Sequence, residues 1–287
     1  MVNLLDLRYV RLGTRDLEGA TRYAREVVGL ELAREEAGAR YFRSDGRDHT
    51  LVYFDGDPSD HTTGFELRDG AELDHAAACL EQRGMKVTRG SADACEQRRV
   101  LAFIHFLDLS GNCIDLVVPP HHSGRRHVPT VDAGITGFSH IGLRSADPVR
   151  NEGFWTGVLG ARVSDRIGTS PLLRIDPVHH RIALFPSPRP GVQHINHQVA
   201  SIDDVMRAWY RLQAAGVRVV FGPGRHPTSG ASFVYFEGPD GMVFEYSTGV
   251  RHITPEQEAD HRPRQFPLVP SSFCMWGSKP DIPEFRI

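Results

Sequence analysis

The sequence predicts an α+β protein of four βαβββ modules paired into two similar domains, because three correspondences recur in the same order in its two halves. The stretch RYVRLGTRDLEGATRYAREVVGLEL, beginning at Arg8, matches SHIGLRSADPVRNEGFWTGVLGARV, beginning at Ser139. Alignment on Gly29 and Gly160 sets Tyr9 opposite His140, each 20 residues before its glycine. TTGFEL followed by LEQRGMKV matches QHINHQV followed by LQAAGVRV, and sets Thr62 opposite His194, each 22 residues before Gly84 or Gly216. LSGNCIDLVV matches PDGMVFEYST, which pairs Asp115 with Glu245.

Each module follows from local pattern. In the first, LLDLRYVRLG alternates as a strand does, residues 16–28 carry helical spacing ended by Gly29, and strand-like runs follow at RYFRS and HTLVYF. The second begins near Gly64, with a helix over 71–83 and strands at KVTR, VLAFIHFL and CIDLVV. The third opens at GFSHIGL with a helix over 149–158, and the fourth at HINHQVA with a helix over 202–215 ended by Gly216. Residues 1–118 are therefore expected to form a first domain without a metal site, and residues 135–250 a second, catalytic one. Between them, residues 119–134 lack periodicity and read as a linker, in which His121, His122 and His127 are taken as solvated rather than as a metal cluster. Residues 251–287 form a Pro-rich tail whose Phe266, Phe273, Met275 and Trp276 are expected to pack across the body.

Composition narrows the class of partner. The chain has 287 residues, enough for two modest cores, and its 33 basic against 36 acidic residues argue for neither nucleic acid nor an anionic membrane surface. No apolar run approaches the ~20 residues that span a bilayer. MVNLLDLRYV lacks the pattern of a secretory signal, and Cys79, Cys95, Cys113 and Cys274 are scattered, so reduced thiols in a cytoplasmic protein are expected.

The repeat also isolates a candidate site. His140 lies on a strand whose alternation turns it to the same face as Phe138 and Gly142. A lone histidine there is ordinarily a satisfied core residue, and His197 competes with His194, but the repeat register selects His194. Glu245 lies between Phe244 and Tyr246, where a buried carboxylate is costly unless paired or bound to a metal. Two neutral imidazoles and a carboxylate, with other positions open, suit a non-haem Fe(II) that activates oxygen. The first half has Tyr9, Thr62 and Asp115 at the same places and is expected to hold no metal.

GFSHIGLRSAD, HHRIALFPSPRPGVQHINHQVASIDDV and GRHPTSGASFVYFEGPDGMVFEYSTG resemble the type I extradiol ring-cleavage dioxygenases of the vicinal oxygen chelate superfamily. The likeness is to the 2,3-dihydroxybiphenyl and catechol 2,3-dioxygenase branch and covers essentially the whole chain. It implies that each domain is an open mixed β-barrel flanked by helices, and that His140, His194 and Glu245 hold Fe(II), or Mn(II) as an alternative. It implies cleavage of a catechol-type substrate with O2, in a homo-oligomer. His180 resembles the family's acid–base histidine, with His179 as its rival because the spacing to His194 is one residue shorter than is common. His226 resembles the histidine that bonds the substrate oxygen, and Tyr235, 10 residues before Glu245, the tyrosine beside it; a surface-loop histidine and a packing aromatic are the plainer alternatives. Leu172, Leu173 and Ile175 are expected to shape the aromatic pocket. Where relatives have an Asn-Asp pair after GRH, this chain has Thr228 and Ser229, which leaves the support of the neighbouring histidine open. The competing readings are another metal-dependent member of the superfamily, such as a glyoxalase-like lyase or isomerase, and a non-catalytic ligand-binding protein.

Overall fold

Each half of the chain folds its strands into one mixed sheet, and the two sheets repeat one strand order. The structure is a computed structural model and describes residues 1–285. The first half runs β1 (Asp6–Thr14), α1 (Leu17–Glu26), β2 (Glu31–Glu36), β3 (Ala39–Arg43), β4 (Leu51–Asp55), β5 (His61–Glu66), α2 (Gly70–Glu81), β6 (Thr88–Arg89), α3 (Ala92–Arg98), β7 (Val100–Leu107) and β8 (Cys113–Pro120). The second runs β9 (Ile135–Ser145), α4 (Pro148–Gly157), β10 (Arg162–Ile167), β11 (Ser170–Arg174), β12 (Ile182–Pro186), β13 (Val192–Val199), α5 (Ile202–Ala214), β14 (Val219–Arg225), β15 (Ser232–Glu237) and β16 (Val243–Thr248), followed by β17 (Arg264–Phe266) in the tail. The first sheet is ordered β2-β3-β4-β1-β5-β8-β7-β6, and the second is its counterpart, β10-β11-β12-β9-β13-β16-β15-β14, with β17 added beside β10. The expected α+β fold of two similar units with mixed sheets is the one observed.

Helix starts follow side-chain chemistry. Asp16, Asp69, Ser91, Asp147 and Ser201 each accept a backbone N–H of the first turn, and Ser201 forms a reciprocal capping box with Asp204. The four long helices fall where the periodicity predicts them, shifted by one or two residues at their ends. The short α3 breaks no apolar pattern strongly enough to be anticipated; it fills the connection between β6 and β7.

Helices cover one face of the sheets, and that apolar layer is continuous between the halves. Trp155 of α4, fully buried, meets Phe65 of β5 edge-on with ring centroids 5.4 Å apart. Tyr246 donates its hydroxyl to the Val28 carbonyl (2.9 Å), and Arg211 donates to the Val27 carbonyl (2.7 Å), so β16 and α5 also grip the first half.

One face assignment differs from the expectation. His140 pairs with Asn196 but Phe138 pairs with His197, so the register slips by one residue at Ser139. This bulge turns Phe138 into the helix-side core, where its ring lies 6.0 Å from His197, while His140, Gly142 and His194 keep the other face. The first half carries the same slip between Leu7 and Tyr9. Period-two alternation separates Leu172 and Leu173 on β11: Leu172 faces the candidate site, whereas Leu173 lies in the helix-side core, and Ile175, just past the strand, packs against that core.

In the tail, Arg264 to Phe266 pair in parallel with Asp165 to Ile167, and Phe273 and Phe285 are buried at 3 % and 2 % exposure. Met275 and Trp276, expected to pack inward, are 62 % and 50 % exposed. No helix among the described residues is long and apolar enough to cross a membrane.

Trp155→Ala should cost about 3–5 kcal/mol, the usual toll of deleting a buried aromatic. Urea unfolding read by far-UV circular dichroism checks this, and a loss below about 1 kcal/mol would mean that the layer between the halves is not a shared core.

Candidate metal centre

Three neighbouring strands bring His140 (β9), His194 (β13) and Glu245 (β16) onto one face. Asn196 pairs with His140 on one side and with Glu245 on the other, and His194 lies two residues earlier on the same strand. All three side chains are buried, and one ligand atom from each falls within 4.8 Å of the others. His140 Nε2 is 3.1 Å from His194 Nε2 and 3.0 Å from Glu245 Oε2, and His194 Nε2 is 3.5 Å from that same oxygen. Gly142 makes the convergence possible, since a Cβ there would sit 2.4 Å from His194 Nδ1.

Electrostatics keep His194 as a lone-pair donor. Burial pushes the His194 imidazolium down to about 3, so the ring is neutral at ordinary pH. Burial works against the Glu245 carboxylate, and only positive charge or a donated proton from the direction of His140, His226 and His194 offsets it. Gln193 Oε1 bonds His194 Nδ1, which assigns the proton to Nδ1 and leaves Nε2 bare. Both Glu245 oxygens are buried and accept no hydrogen bond of normal geometry, even with His140 Nε2 so near. Two nitrogens bound at about 2.1 Å and at right angles would lie about 3 Å apart. The residues present therefore fit a divalent cation, which would satisfy an orphaned carboxylate and take both facing imidazole nitrogens as ligands.

Around them lies a cavity of ≈ 30 Å³, lined by His180, His226, Tyr235, Leu172, Thr228 and Ser229, and roofed by Phe273 and Phe285 of the tail. His180 sits with its ring 4.2 Å from that of His140. His179 is behind it, fully buried and bonded to Asp165 and His180. His226 donates Nδ1–H to the Phe273 carbonyl (2.8 Å), leaving Nε2 to accept the Tyr235 hydroxyl (3.1 Å). Burial, then the Glu245 charge, raises the Tyr235 phenol well above its usual value, so it stays a donor. His197 stacks on the helix side and does not join the site.

The first half compensates the same carboxylate with its own side chains. Its equivalent carboxylate, Asp115, is fully buried and accepts from Tyr9 (2.8 Å), Arg98 of α3 (2.6 Å) and His105 (2.8 Å). His105 opposes Asp115 as Tyr235 opposes Glu245, each 10 residues earlier in sequence. That spacing was available in the sequence and went unused. Asp165, Gln193 and Arg98 carry no comparable signal, because each reaches its partner only through the fold.

The family described as the Glyoxalase/Bleomycin resistance protein/Dioxygenase superfamily matches residues 6–116 and 137–246, one match per half. The chain belongs to this superfamily. Within the superfamily it is 27 % identical over 277 residues to a biphenyl-2,3-diol 1,2-dioxygenase of Sphingomonas paucimobilis, covering 90 % of this chain and 92 % of that one. It is 26 % identical over 283 residues to an iron-dependent extradiol dioxygenase of Rhodococcus jostii, covering 89 % and 92 %. Among solved structures, the Mn(II)-bound glyoxalase from Novosphingobium aromaticivorans superposes with a TM-score of 0.86 at 26 % identity, covering 100 % of this chain and 95 % of that one. A halotolerant catechol dioxygenase, at 23 % identity, shares the fold with a TM-score of 0.87 over 99 % and 97 % of the two chains.

The Asp115 cluster makes stability depend on pH in a direction that can be worked out. The hydrogen bond to Asp115, then one to Cys113, raises His105 from 6.5 to about 9. A raised cation stabilises the fold fully below pH 6.5, and that contribution is lost as pH climbs through about 9. For this half-exposed ring, on the order of 1 kcal/mol should disappear between neutral pH and pH 9.5. His105→Gln should flatten that decline in thermal midpoints recorded across the range, and an unchanged slope would remove His105 as its source.

Proposed function

We propose that this protein is an Fe(II)-dependent extradiol dioxygenase that cleaves the ring of a catechol-type substrate with O2. In this reading residues 135–250 are the catalytic domain and residues 1–118 a domain without metal. His140, His194 and Glu245 are the metal ligands, and His180, His226 and Tyr235 act on the substrate. The observation that carries the proposal is the orphaned Glu245 carboxylate converging with the Nε2 atoms of His140 and His194, with His180, His226 and Tyr235 around the same cavity. The iron-dependent and biphenyl-diol-cleaving activities named for the relatives support it.

A divalent iron held by His140, His194 and Glu245 would supply Lewis acidity toward the vicinal oxygens of a catechol and activation of O2. His180 takes a proton from a substrate hydroxyl and returns it as the ring opens. The Tyr235 hydroxyl and the His226 Nε2 edge, already bonded to each other, turn toward a substrate oxygen and fix its orientation. Leu172, Ile167, Phe185 and the tail residues Phe273 and Phe285 give the ring an apolar, water-poor seat. A cavity of ≈ 30 Å³ has room for a water or two, so admission of a ring requires some of these side chains to move. A cytoplasmic homo-oligomer is part of the proposal, and the exposed Met275 and Trp276 are its candidate contact.

The Mn(II)-bound glyoxalase neighbour favours a second reading, a glyoxalase-like lyase or isomerase on the same metal set. Oxygen uptake separates the two. Protein loaded anaerobically with Fe(II) should consume one O2 per catechol or 2,3-dihydroxybiphenyl cleaved and give a yellow ring-opened product. His194→Ala should lower that rate by at least about a thousandfold, together with iron retention. Iron bound at one per chain with no uptake on any catechol would turn the assignment to the second reading.

A further inference from the structure

The histidine that the proposed reading uses for proton transfer has two ring nitrogens, and only one of them can serve the cavity. We propose that Asp165, acting through His179, sets the tautomer of His180 so that its Nε2 carries the lone pair offered to the site. This rests on the reading of His180 as the proton-transfer group, and it adds Asp165 and His179 as positioning residues.

The chain of bonds can be followed atom by atom. Asp165 lies on β10, fully buried, and every group around its carboxylate is a donor. Oδ1 accepts from the backbone N–H of Arg264 (2.9 Å) and its Nε (3.1 Å). Oδ2 accepts from Arg264 Nη2 (2.7 Å), Arg251 Nη2 (2.9 Å) and His179 Nε2 (2.9 Å). Held by two guanidinium groups and the imidazole, the carboxyl stays ionised, and an ionised carboxylate can only accept. His179 must therefore carry its proton on Nε2.

Burial first, with Arg251 and Arg264 beside it, brings the His179 imidazolium down to about 4, so the ring is neutral and its Nδ1 is bare. Among the described residues, the hydrogen-bond partner of that atom is His180 Nδ1, 3.0 Å away. Two bare nitrogens at this distance would repel, so His180 donates Nδ1–H and keeps Nε2 free. The two rings stand at 90° to each other, and His180 is the member that lines the cavity. Nothing in this sequence of assignments passes through the metal ligands.

The test reads the tautomer directly. Full-length chain labelled with ¹⁵N-histidine, carrying a diamagnetic divalent ion in place of iron, should show His180 protonated on Nδ1 and pyridine-like on Nε2 in long-range ¹H–¹⁵N correlations. Asp165→Asn presents an amide donor to His179 and should invert both rings. With Fe(II), kcat should then fall roughly ten- to hundredfold while KM changes less than about threefold. Because that variant also disturbs Arg251 and Arg264, a second pair isolates the relay. His179→Asn keeps an acceptor for His180 Nδ1 and should retain the tautomer and most of kcat, whereas His179→Phe should lose both. A wild-type His180 protonated on Nε2, an unchanged tautomer in Asp165→Asn, or equal behaviour of the Asn and Phe variants would each overturn the relay. An Nδ1-protonated His180 in a protein that opens no ring would uphold the relay and sink the ring-cleavage reading alone.

Discussion

A buried carboxylate stands at the same register position in both halves of the chain, and most of what distinguishes the halves follows from how it is compensated. An ionised carboxyl taken out of water costs several kcal/mol unless partners replace its hydration. Asp115 receives three side-chain donors, two of them cationic or readily so. Glu245 receives none with hydrogen-bond geometry among the described residues, and the neutral His194 beside it is a lone-pair donor. The first half is electrostatically complete by itself, while the second has the electrostatics of a receptor for a cation.

The substitutions that separate the two states are few. Across the repeat the aromatic partners are exchanged: tyrosine on β1 and histidine on β7 in the first half, histidine on β9 and tyrosine on β15 in the second. The connection before β7 is α3, which delivers the Arg98 guanidinium. The equivalent connection before β15 is a tight loop closed by bonds between His226 and both Ala231 and Gly230, and it delivers an imidazole instead. Gly142 leaves space for the His194 ring, where the first half has Arg11 opposite Thr62. Gly64, by contrast, gives that space to the Tyr9 ring, with a Cβ excluded at 2.4 Å. One scaffold thus holds either a closed ion cluster or a cation pocket, by choosing which strand carries the bulky ring.

This pairing explains what the sequence made legible. Helical periodicity marks the four long helices, and repeat register marks the convergence of His140, His194 and Glu245, because register is a property of the backbone ladder that matched residues share. Simple alternation failed at Phe138, where an extra residue in the strand reverses the face, and a bulge leaves no local mark in SHIGL. The same alternation sends Leu173 and Ile175 to the helix side and leaves Leu172 alone of the three on the pocket face. Asp165 was out of reach for a different reason. Its partners come from positions 179, 251 and 264, and nothing short of the fold brings those together.

Asp165 also connects two parts of the molecule that would otherwise be independent. Arg264, which saturates half of its carboxylate, belongs to β17, the strand by which the tail joins the second sheet. Arg264 Nη2 donates to the Thr228 carbonyl as well, in the loop that carries His226. From that strand the tail continues to Phe273, whose carbonyl fixes the His226 ring, and to Phe285, whose ring lies 4.6 Å from Phe185 over the cavity. The carboxylate that orders the histidine pair is therefore also the anchor of the segment that roofs the site. Release of the tail would break the three Arg264 bonds to the same carboxylate that holds His179, so access to the cavity and the protonation pattern inside it are built on one buried charge.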